Sequence, residues 1–258
     1  MSTPRLSELE GRLVQAPAPG GFRSAELDGL PEPVRRHLTQ AIAPGTALAT
    51  SAWLRMRGHI KVGRWLPFRA RQVLNPHRGF VWSARAAGVI AGSDRYVDDA
   101  GVMDWKLAGL VRVVHAEGPD ISRSAAGRAG AEAVCLPTAL LPRFGVRWSA
   151  TGDDQVTARY QVGETPLEVS YRLDPDGRIR SMVFDRWGDP DSSGSFSTVT
   201  PRCWSCWIVV GIGRIRPSAP VPTTRCEGSS SRTSARSSRT SAGPSWRHQF
   251  RTTRSGRR

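Results

Sequence analysis

The sequence predicts an α+β fold, in which a curved, mainly antiparallel sheet meanders like a half-barrel and carries helices against its concave face. The first observation is a series of short segments in which apolar and polar residues alternate, separated by residues typical of turns. The second is that residues 30–42 have the apolar spacing of a helix, whereas residues 122–134 are dominated by Ala and Gly. Strands joined by short turns pair antiparallel, so a meander is expected.

Residues 1–21 are predicted to be a flexible lead-in. A short helix around Leu6, Leu9 and Leu13 is followed by the Pro- and Gly-rich residues 16–21. These are expected neither to continue the helix nor to join a strand ladder, because proline lacks the backbone N–H. The first residues also lack the apolar region and cleavage site of a signal peptide, which favours a cytoplasmic location.

A short amphipathic helix is predicted between residues 30 and 42. Leu30, Val34 and Leu38 lie on one stripe, and prolines stand early in the segment, where a missing N–H costs nothing. His37 is assigned to the polar face beside two arginines, and we expect it to be solvated.

Residues 52–62 show the alternation of a strand with one buried face and one polar face. Apolar side chains occupy the even positions, and Arg55, Arg57 and His59 lie between them. Further strands are predicted at residues 67–74, 79–86, 102–107, 111–116, 146–150, 156–162, 167–173 and 179–187. Residues 174–177 supply hairpin chemistry between the last two strands.

The helix predicted at residues 122–134 is rich in Ala and Gly. Small residues allow a helix to lie close against a sheet, and Asp120 or Ser122 is expected to cap its first turn. The apolar residues 136–142 would complete the cover over the sheet.

The net charge of +15 is unevenly distributed along the chain. Residues 1–200 carry 25 Lys and Arg against 21 Asp and Glu, whereas residues 201–258 carry 12 against one. The positive charge therefore belongs to the C-terminal segment, and no specific nucleic-acid partner is predicted. The apolar stretch at residues 203–215 is too short to span a membrane.

The alternating pattern stops near residue 197. Residues 22–197 are therefore predicted to form a single domain, and residues 198–258 a disordered basic tail. The tail has the composition that a GC-rich gene yields when it is read in a shifted frame, and this is the favoured interpretation. The alternative is a genuine disordered tail, whose composition also could not form a core.

Cys203, Cys206 and Cys226 could bind zinc with Cys135, but a second close pair is missing, so neither a metal nor another cofactor is predicted.

Five motifs give the chain a resemblance to a known family. They are Leu-Pro-Glu-Pro-Val-Arg-Arg at residues 30–36, Arg-Met-Arg-Gly at 55–58, Gly-Pro-Asp at 118–120 with Ser-Ala-Ala-Gly-Arg at 124–128, Leu-Pro-Thr-Ala-Leu-Leu-Pro at 136–142 and Trp-Gly-Asp-Pro-Asp at 187–191. Through them, residues 29–197 resemble an uncharacterised bacterial family of unknown function. The resemblance implies no activity. It implies more strands after residue 191. Because the alternating pattern stops near residue 197, these C-terminal strands are predicted to be missing, and the hairpin at residues 166–187 is then expected to present an unpaired edge.

In its order of strands and helices, the chain also resembles half-barrels that carry lipid or lipoprotein acyl chains. This second resemblance concerns topology alone, and fold does not determine function. It implies an apolar small molecule as the partner.

Two groups of residues are candidates for ligand binding. Asp120, Arg123, Ser124 and Arg128 lie at the start of the helix at 122–134, where free N–H groups and arginines could hold an anion. The alternative is a capped helix in which Arg128 pairs with Glu132.

Trp82 and Trp105 form the second group. They could line an apolar pocket between the sheet and its helices, or they could pack in the core. Basic residues also share one strand face: Arg55, Arg57, His59, Lys61, Arg69 and Arg71. They are interpreted as solvated, and they would become an anion site only by converging in a cavity.

The sequence leaves three hypotheses for the function. The first is a non-enzymatic carrier or sensor of an apolar or amphipathic small molecule, bound on the concave face against the helix at 122–134. The second is an enzyme that uses the anion site at the helix start, although no catalytic residue is assigned. The third is a structural protein or a truncated product without function. An enclosed apolar cavity would favour the carrier, and a polar cleft at residues 118–128 the enzyme.

Overall fold

The strands of the chain form two large antiparallel sheets that share one helix. Our computed structural model describes residues 4–62, 64–188, 195–199 and 209–210. The predicted α+β class and antiparallel meander are confirmed, but the strands divide into a seven-stranded and a five-stranded sheet and do not form a single one.

The described residues comprise three α-helices and fourteen strands. The helices are α1 (Leu6–Leu13), α2 (Glu32–Ala41) and α3 (Pro119–Ala131). A short ladder joins β1 (Ala18–Gly21) to β2 (Ala47–Leu48). The seven-stranded sheet contains β3 (Ala52–Val62), β4 (Arg64–Asn75), β5 (Gly79–Ala86), β6 (Ile90–Val97), β7 (Ala100–Leu107) and β8 (Val111–Glu117) in chain order, with β14 (Val209–Val210) beside β3. The five-stranded sheet contains β9 (Arg147–Ala150), β10 (Gln155–Val162), β11 (Thr165–Leu173), β12 (Ile179–Gly188) and β13 (Ser195–Val199).

Helix α3 lies between the two sheets. It contacts β5 to β8 on one side and β10 to β12 on the other. Ala126, Ala129 and Gly130 are buried along it, and a Cβ at Gly130 would collide with Leu167 of β11. The small residues seen in the sequence therefore allow two sheets to approach one helix.

The start of α3 differs from its prediction. The helix begins at Pro119, and Gly118 takes the N-cap position without a side-chain hydrogen bond. The Ser122 hydroxyl accepts a hydrogen bond from the Gly101 N–H of β7 at 2.8 Å and donates to the Gly118 carbonyl at 3.0 Å. The expectation that Asp120 or Ser122 caps the helix is therefore wrong, and the Ser122 side chain instead ties α3 to β7.

Helix α1 packs on the outer face of the seven-stranded sheet, the face opposite α3. Leu9 and Leu13 are buried against three valines of the sheet. Glu10 is also buried, and its Oε1 lies 3.2 Å from the Arg71 guanidinium. The helix itself is as predicted, but its packing differs from the expected flexible lead-in.

The Pro- and Gly-rich segment after α1 contributes β1, so the expectation that it would join no ladder is wrong. Ala18 pairs with Leu48 and Gly21 with Ala47, with an irregular register between them. The irregularity spares Pro19 from donating a ladder hydrogen bond, and Gly20 adopts a φ of +87° there.

The five-stranded sheet continues past residue 187. Strand β13 pairs with β12 from Phe184 to Gly188, so the hairpin edge expected to be unpaired has a partner strand. Most of the predicted tail at residues 198–258 lies outside the described residues, and so do its three cysteines. Within the described part of the chain, no helix is long and apolar enough to cross a membrane.

Candidate functional site

A largely buried arginine on α3 holds two carboxylates together at the inner face of the seven-stranded sheet. The Arg128 Nε donates to Glu132 Oε1 at 2.8 Å, and its Nη1 donates to Asp94 Oδ2 at 3.1 Å. Burial alone would lower the pKa of Arg128, but the attraction of Glu132 and Asp94 raises it above its ordinary value. The guanidinium is therefore held in its charged form, and the predicted pair with Glu132 is present.

Aromatic rings cover the guanidinium. The Arg128 Cζ lies 4.4 Å from the centre of the Phe80 ring and 5.2 Å from that of Trp82. The Trp82 and Trp105 rings are tilted against each other with centroids 5.6 Å apart. These distances are those of cation–π and aromatic contacts, so Arg128, Trp82 and Trp105 form one contiguous unit.

Two neutral donors hold the carboxylates from the other side. The Trp105 Nε1–H donates to Asp94 Oδ1 at 2.8 Å, and the Gln72 amide donates to Glu132. We refer to Gln72, Trp82, Asp94, Trp105, Arg128 and Glu132 as the Arg128 cluster. Each carboxylate in the cluster accepts both from Arg128 and from a strand residue, which fixes α3 on the sheet.

The six residues predicted to bind a ligand fall into two groups. Arg128, Trp82 and Trp105 meet in the Arg128 cluster, which occupies the space between sheet and helix where the first hypothesis places a ligand. Asp120 and Arg123 lie exposed at the start of α3 and pair with each other, with 3.3 Å between Oδ1 and the guanidinium. Ser124 is partly buried one turn before Arg128.

Neither Asp94 nor Gln72 is among the residues that were named as candidates from the sequence. Strand β6 has no clear alternation, because Gly92, Ser93 and Asp94 stand in its centre. Gln72 does carry a signal: it stands between the apolar residues Ala70 and Leu74 on one face of β4, and its side chain is fully buried. A polar residue at a core position indicates a buried partner.

A second candidate site lies on the basic strand face. Arg57 of β3 stands directly opposite Arg69 of β4, which in turn stands opposite Arg85 of β5. A surface cavity of about 680 Å³ lies here, and its lining includes Arg57, His59, Phe68, Arg69, Arg85 and Ala87. Three of the six basic residues that are interpreted as solvated, Arg57, His59 and Arg69, therefore line one cavity together with Arg85, which meets the condition for an anion site.

The three arginines have no acidic partner among the described residues. Within the described part of the chain, Arg57, Arg69 and Arg85 form neither an ion pair nor a side-chain hydrogen bond. Two arginines on the same face do have partners: Arg71 pairs with Glu10, and Arg112 with Asp104. Like charges directly opposite on neighbouring strands destabilise a sheet, so this arrangement reduces the stability of the protein.

His37 is buried, contrary to the expectation of a solvated side chain. Its exposed fraction is 4%, and its Nδ1 donates to the Gly177 carbonyl at 2.9 Å. The ring lies edge-on to Trp148 and stacks on Tyr171. Burial lowers the pKa of His37, and the hydrogen bond to Gly177 offsets this only in part.

We expect the free energy of unfolding to fall as the pH decreases below about 6.5, the pKa of an unperturbed histidine. Because the pKa of His37 is lowered in the folded state, the unfolded chain binds the proton first, and acid therefore favours unfolding. Urea denaturation of the wild type and of His37→Phe at neutral and mildly acidic pH measures this effect. An equal loss of stability in both proteins would assign the pH dependence to other groups.

Fold and sites together define a two-sheet α+β protein with a buried arginine cluster and a basic surface cavity. The chain belongs to DUF6544, a family of unknown function, which matches residues 20–206. The family relationship indicated by the motifs is thus confirmed, and the match extends beyond residues 29–197 at both ends. No curated protein and no solved structure matches the chain.

Proposed function

We propose that the protein is a non-enzymatic binding protein for an amphipathic anion, held in the cavity between Arg57, Arg69 and Arg85. The observation that supports this most is the direct register of the three arginines across neighbouring strands without an acidic partner in the described residues. The three arginines repel one another when the cavity is empty, and a bound anion would relieve this repulsion and so stabilise the protein. A loss of stability of this kind in the empty protein is typical of functional positions.

The chemistry of the cavity selects the ligand. A guanidinium donates two parallel hydrogen bonds to a carboxylate, sulfate or phosphate group. Phe68, Pro67 and Ala87 line the same cavity and offer apolar surface beside the charges. Its volume of about 680 Å³ lies within the range of small-molecule sites. A fatty-acid-like molecule, with one anionic group and one apolar chain, matches both parts.

The lining supports binding rather than catalysis. His59 is exposed and makes no hydrogen bond within the described residues, so it lacks the orienting partner that a catalytic histidine uses. The alternative site at the start of α3 has less support, because Arg123 there is already engaged with Asp120.

Decanoate is a suitable probe, used below its micellar concentration and compared with uncharged decanol by isothermal titration calorimetry. We expect decanoate to bind with clear preference. Arg69→Gln should weaken its binding about tenfold or more, since a hydrogen bond to a charged group contributes about 1.5–3 kcal/mol. Arg78→Gln is the matched control, because Arg78 is exposed at the opposite end of β4 and outside the cavity.

In the absence of ligand, Arg69→Gln should stabilise the protein, although it weakens binding. Arg69 stands between two arginines, so Arg69→Gln removes both repulsions and should raise the free energy of unfolding by about 0.2–1 kcal/mol. Thermal unfolding at low salt measures this gain, and Arg78→Gln should show none. Equal affinity for decanol and decanoate, or equal effects of the two variants on binding, would contradict the proposed site.

A further inference from the structure

The turns at one end of the seven-stranded sheet expose large apolar side chains. In a meander, the turns after β3, β5 and β7 lie at the same end. The exposed apolar residues at these turns are Trp65, Val89, Leu107, Leu110 and Val111, which we call the apolar tips. Leu110 is 87% exposed and Trp65 66% exposed. Turns of this kind are ordinarily polar, so such exposure indicates an interaction surface.

Hydrogen bonds join the turn between β5 and β6 to strand β4 on one side and to the turn between β7 and β8 on the other. The Ala87 N–H donates to the Pro67 carbonyl at 2.8 Å, and the Ala108 N–H donates to the Val89 carbonyl at 2.7 Å. The last pair between β4 and β5 is Phe68 with Ala86, so the start of β4 projects beyond the neighbouring turns. The apolar tips are therefore parts of one continuous patch with Trp65 at its projecting edge.

A row of basic residues runs across the sheet directly behind the apolar tips. Following the register from β3 to β8, the facing residues are Arg57, Arg69, Arg85, Ala91, Lys106 and Arg112. We call the five basic members the basic row. Arg85 and Lys106 each precede the last residue of their strand, and Arg112 follows the first of its own. Only Arg112 has an ion pair among the described residues.

We propose that this end of the sheet docks on the surface of an anionic lipid bilayer. The apolar tips enter the interface between headgroups and acyl chains, where Trp is favoured, and the basic row meets the phosphates just above. One surface thus matches both chemical layers of the bilayer in the correct order. A nucleic acid would satisfy the basic row but would leave Leu110, Val89 and Val111 without an apolar partner.

The inference goes beyond the proposed binding of an amphipathic anion and does not require it. It does explain the position of the cavity, because Ala87 belongs both to the cavity lining and to the turn between β5 and β6. A ligand with an acyl chain would reach the cavity directly from the bilayer.

The test is sedimentation of the full chain with vesicles of phosphatidylcholine alone or mixed equally with phosphatidylglycerol. We expect binding to the anionic vesicles, part of which persists at about 1 M salt, where the Debye length is about 3 Å. The variant Leu110→Ser/Trp65→Ser should reduce vesicle partitioning about tenfold or more, since it removes two large apolar side chains. Both residues are exposed, and unchanged thermal unfolding checks that the variant is folded.

Val14→Ser is the matched control, because Val14 is an exposed apolar residue next to α1, away from the apolar tips. Every variant keeps the arginine-rich residues 201–258, so differences between variants report on the tips. Equal partitioning of the tip variant and the control would overturn the proposal. So would binding that disappears at high salt and is matched by a nucleic acid, since this would indicate a polycation effect. Decanoate binding should survive in the tip variant, which separates this inference from the cavity proposal.

Discussion

Replacing Arg128 by methionine is expected to lower the free energy of unfolding by about 3–5 kcal/mol, the cost of leaving a buried charge without its partner. Arg128 is the common partner of Asp94 and Glu132, and its side chain is only 22% exposed. Methionine keeps much of the volume but leaves two carboxylates facing each other across the helix–sheet interface. Single domains are typically stable by about 5–15 kcal/mol, so the variant should be close to unfolding at moderate temperature.

The control for this experiment is Arg123→Met on the same helix. Arg123 and Asp120 are exposed, and surface ion pairs contribute about 0–1 kcal/mol. Urea denaturation of both variants separates the effect of the buried charge from that of helix propensity. The triple variant Arg128→Met/Asp94→Asn/Glu132→Gln should recover much of the loss, because amide oxygens still accept from Trp105 and Gln72 without carrying charge. A cost of Arg128→Met as small as that of Arg123→Met would show that the cluster does not depend on its arginine.

The Arg128 cluster also shows how far local sequence can predict a site. The pair of Arg128 with Glu132 follows from i, i+4 spacing on a helix, which the sequence displays directly. Its other partner, Asp94, lies 34 residues away on a strand without clear alternation, and only the packing of α3 on β6 brings the two together. Local spacing therefore predicts the pair of Arg128 with Glu132, and tertiary contacts determine the pair of Arg128 with Asp94.

The strands were predictable for the same reason. Alternation depends on one residue and its immediate neighbours, and it marks β3 and β11 clearly. The division into two sheets depends on where the chain continues after α3, which no local pattern encodes. The basic row is an intermediate case. The alternation of side chains along each strand assigns Arg57 and Arg69 to one face of the sheet. Only the hairpin register sets Arg57, Arg69 and Arg85 directly opposite one another.

For His37, the sequence contains a signal for burial, but the neighbouring arginines favour the opposite assignment. Arg35 and Arg36 precede it, which suggests a polar face. However, His37 is also three residues after Val34, a spacing that puts both on the same side of a helix. The structure buries His37 with Val34 and Leu38. The buried face of a helix should therefore include the positions at i, i+3 as well as those at i, i+4 before a polar residue such as His37 is assigned to the solvent-exposed face.

Introducing a single methyl group into β6, by Gly92→Ala, is expected to lower the free energy of unfolding by about 1–3 kcal/mol, the usual cost of overpacking. Gly92 pairs directly with Trp105. A Cβ at this position would lie 2.5 Å from Trp105 Cδ2 and 2.6 Å from the Asp104 carbonyl oxygen. Neither a rigid ring nor a strand backbone can yield easily, so the indole must turn away. It then loses the hydrogen bond that its Nε1 donates to Asp94.

The matched substitution is Gly11→Ala in α1, where a Cβ meets no atom within 4 Å. This change should stabilise the protein by about 0.4–1 kcal/mol, because it restricts the unfolded chain without a clash. Urea denaturation gives the two opposite shifts. Near-ultraviolet circular dichroism should also report the loss of Trp82–Trp105 coupling in Gly92→Ala alone, since these rings lie 5.6 Å apart. If Gly92→Ala is as stable as the wild type and keeps that signal, the close approach of Trp105 to β6 does not hold the Arg128 cluster in place.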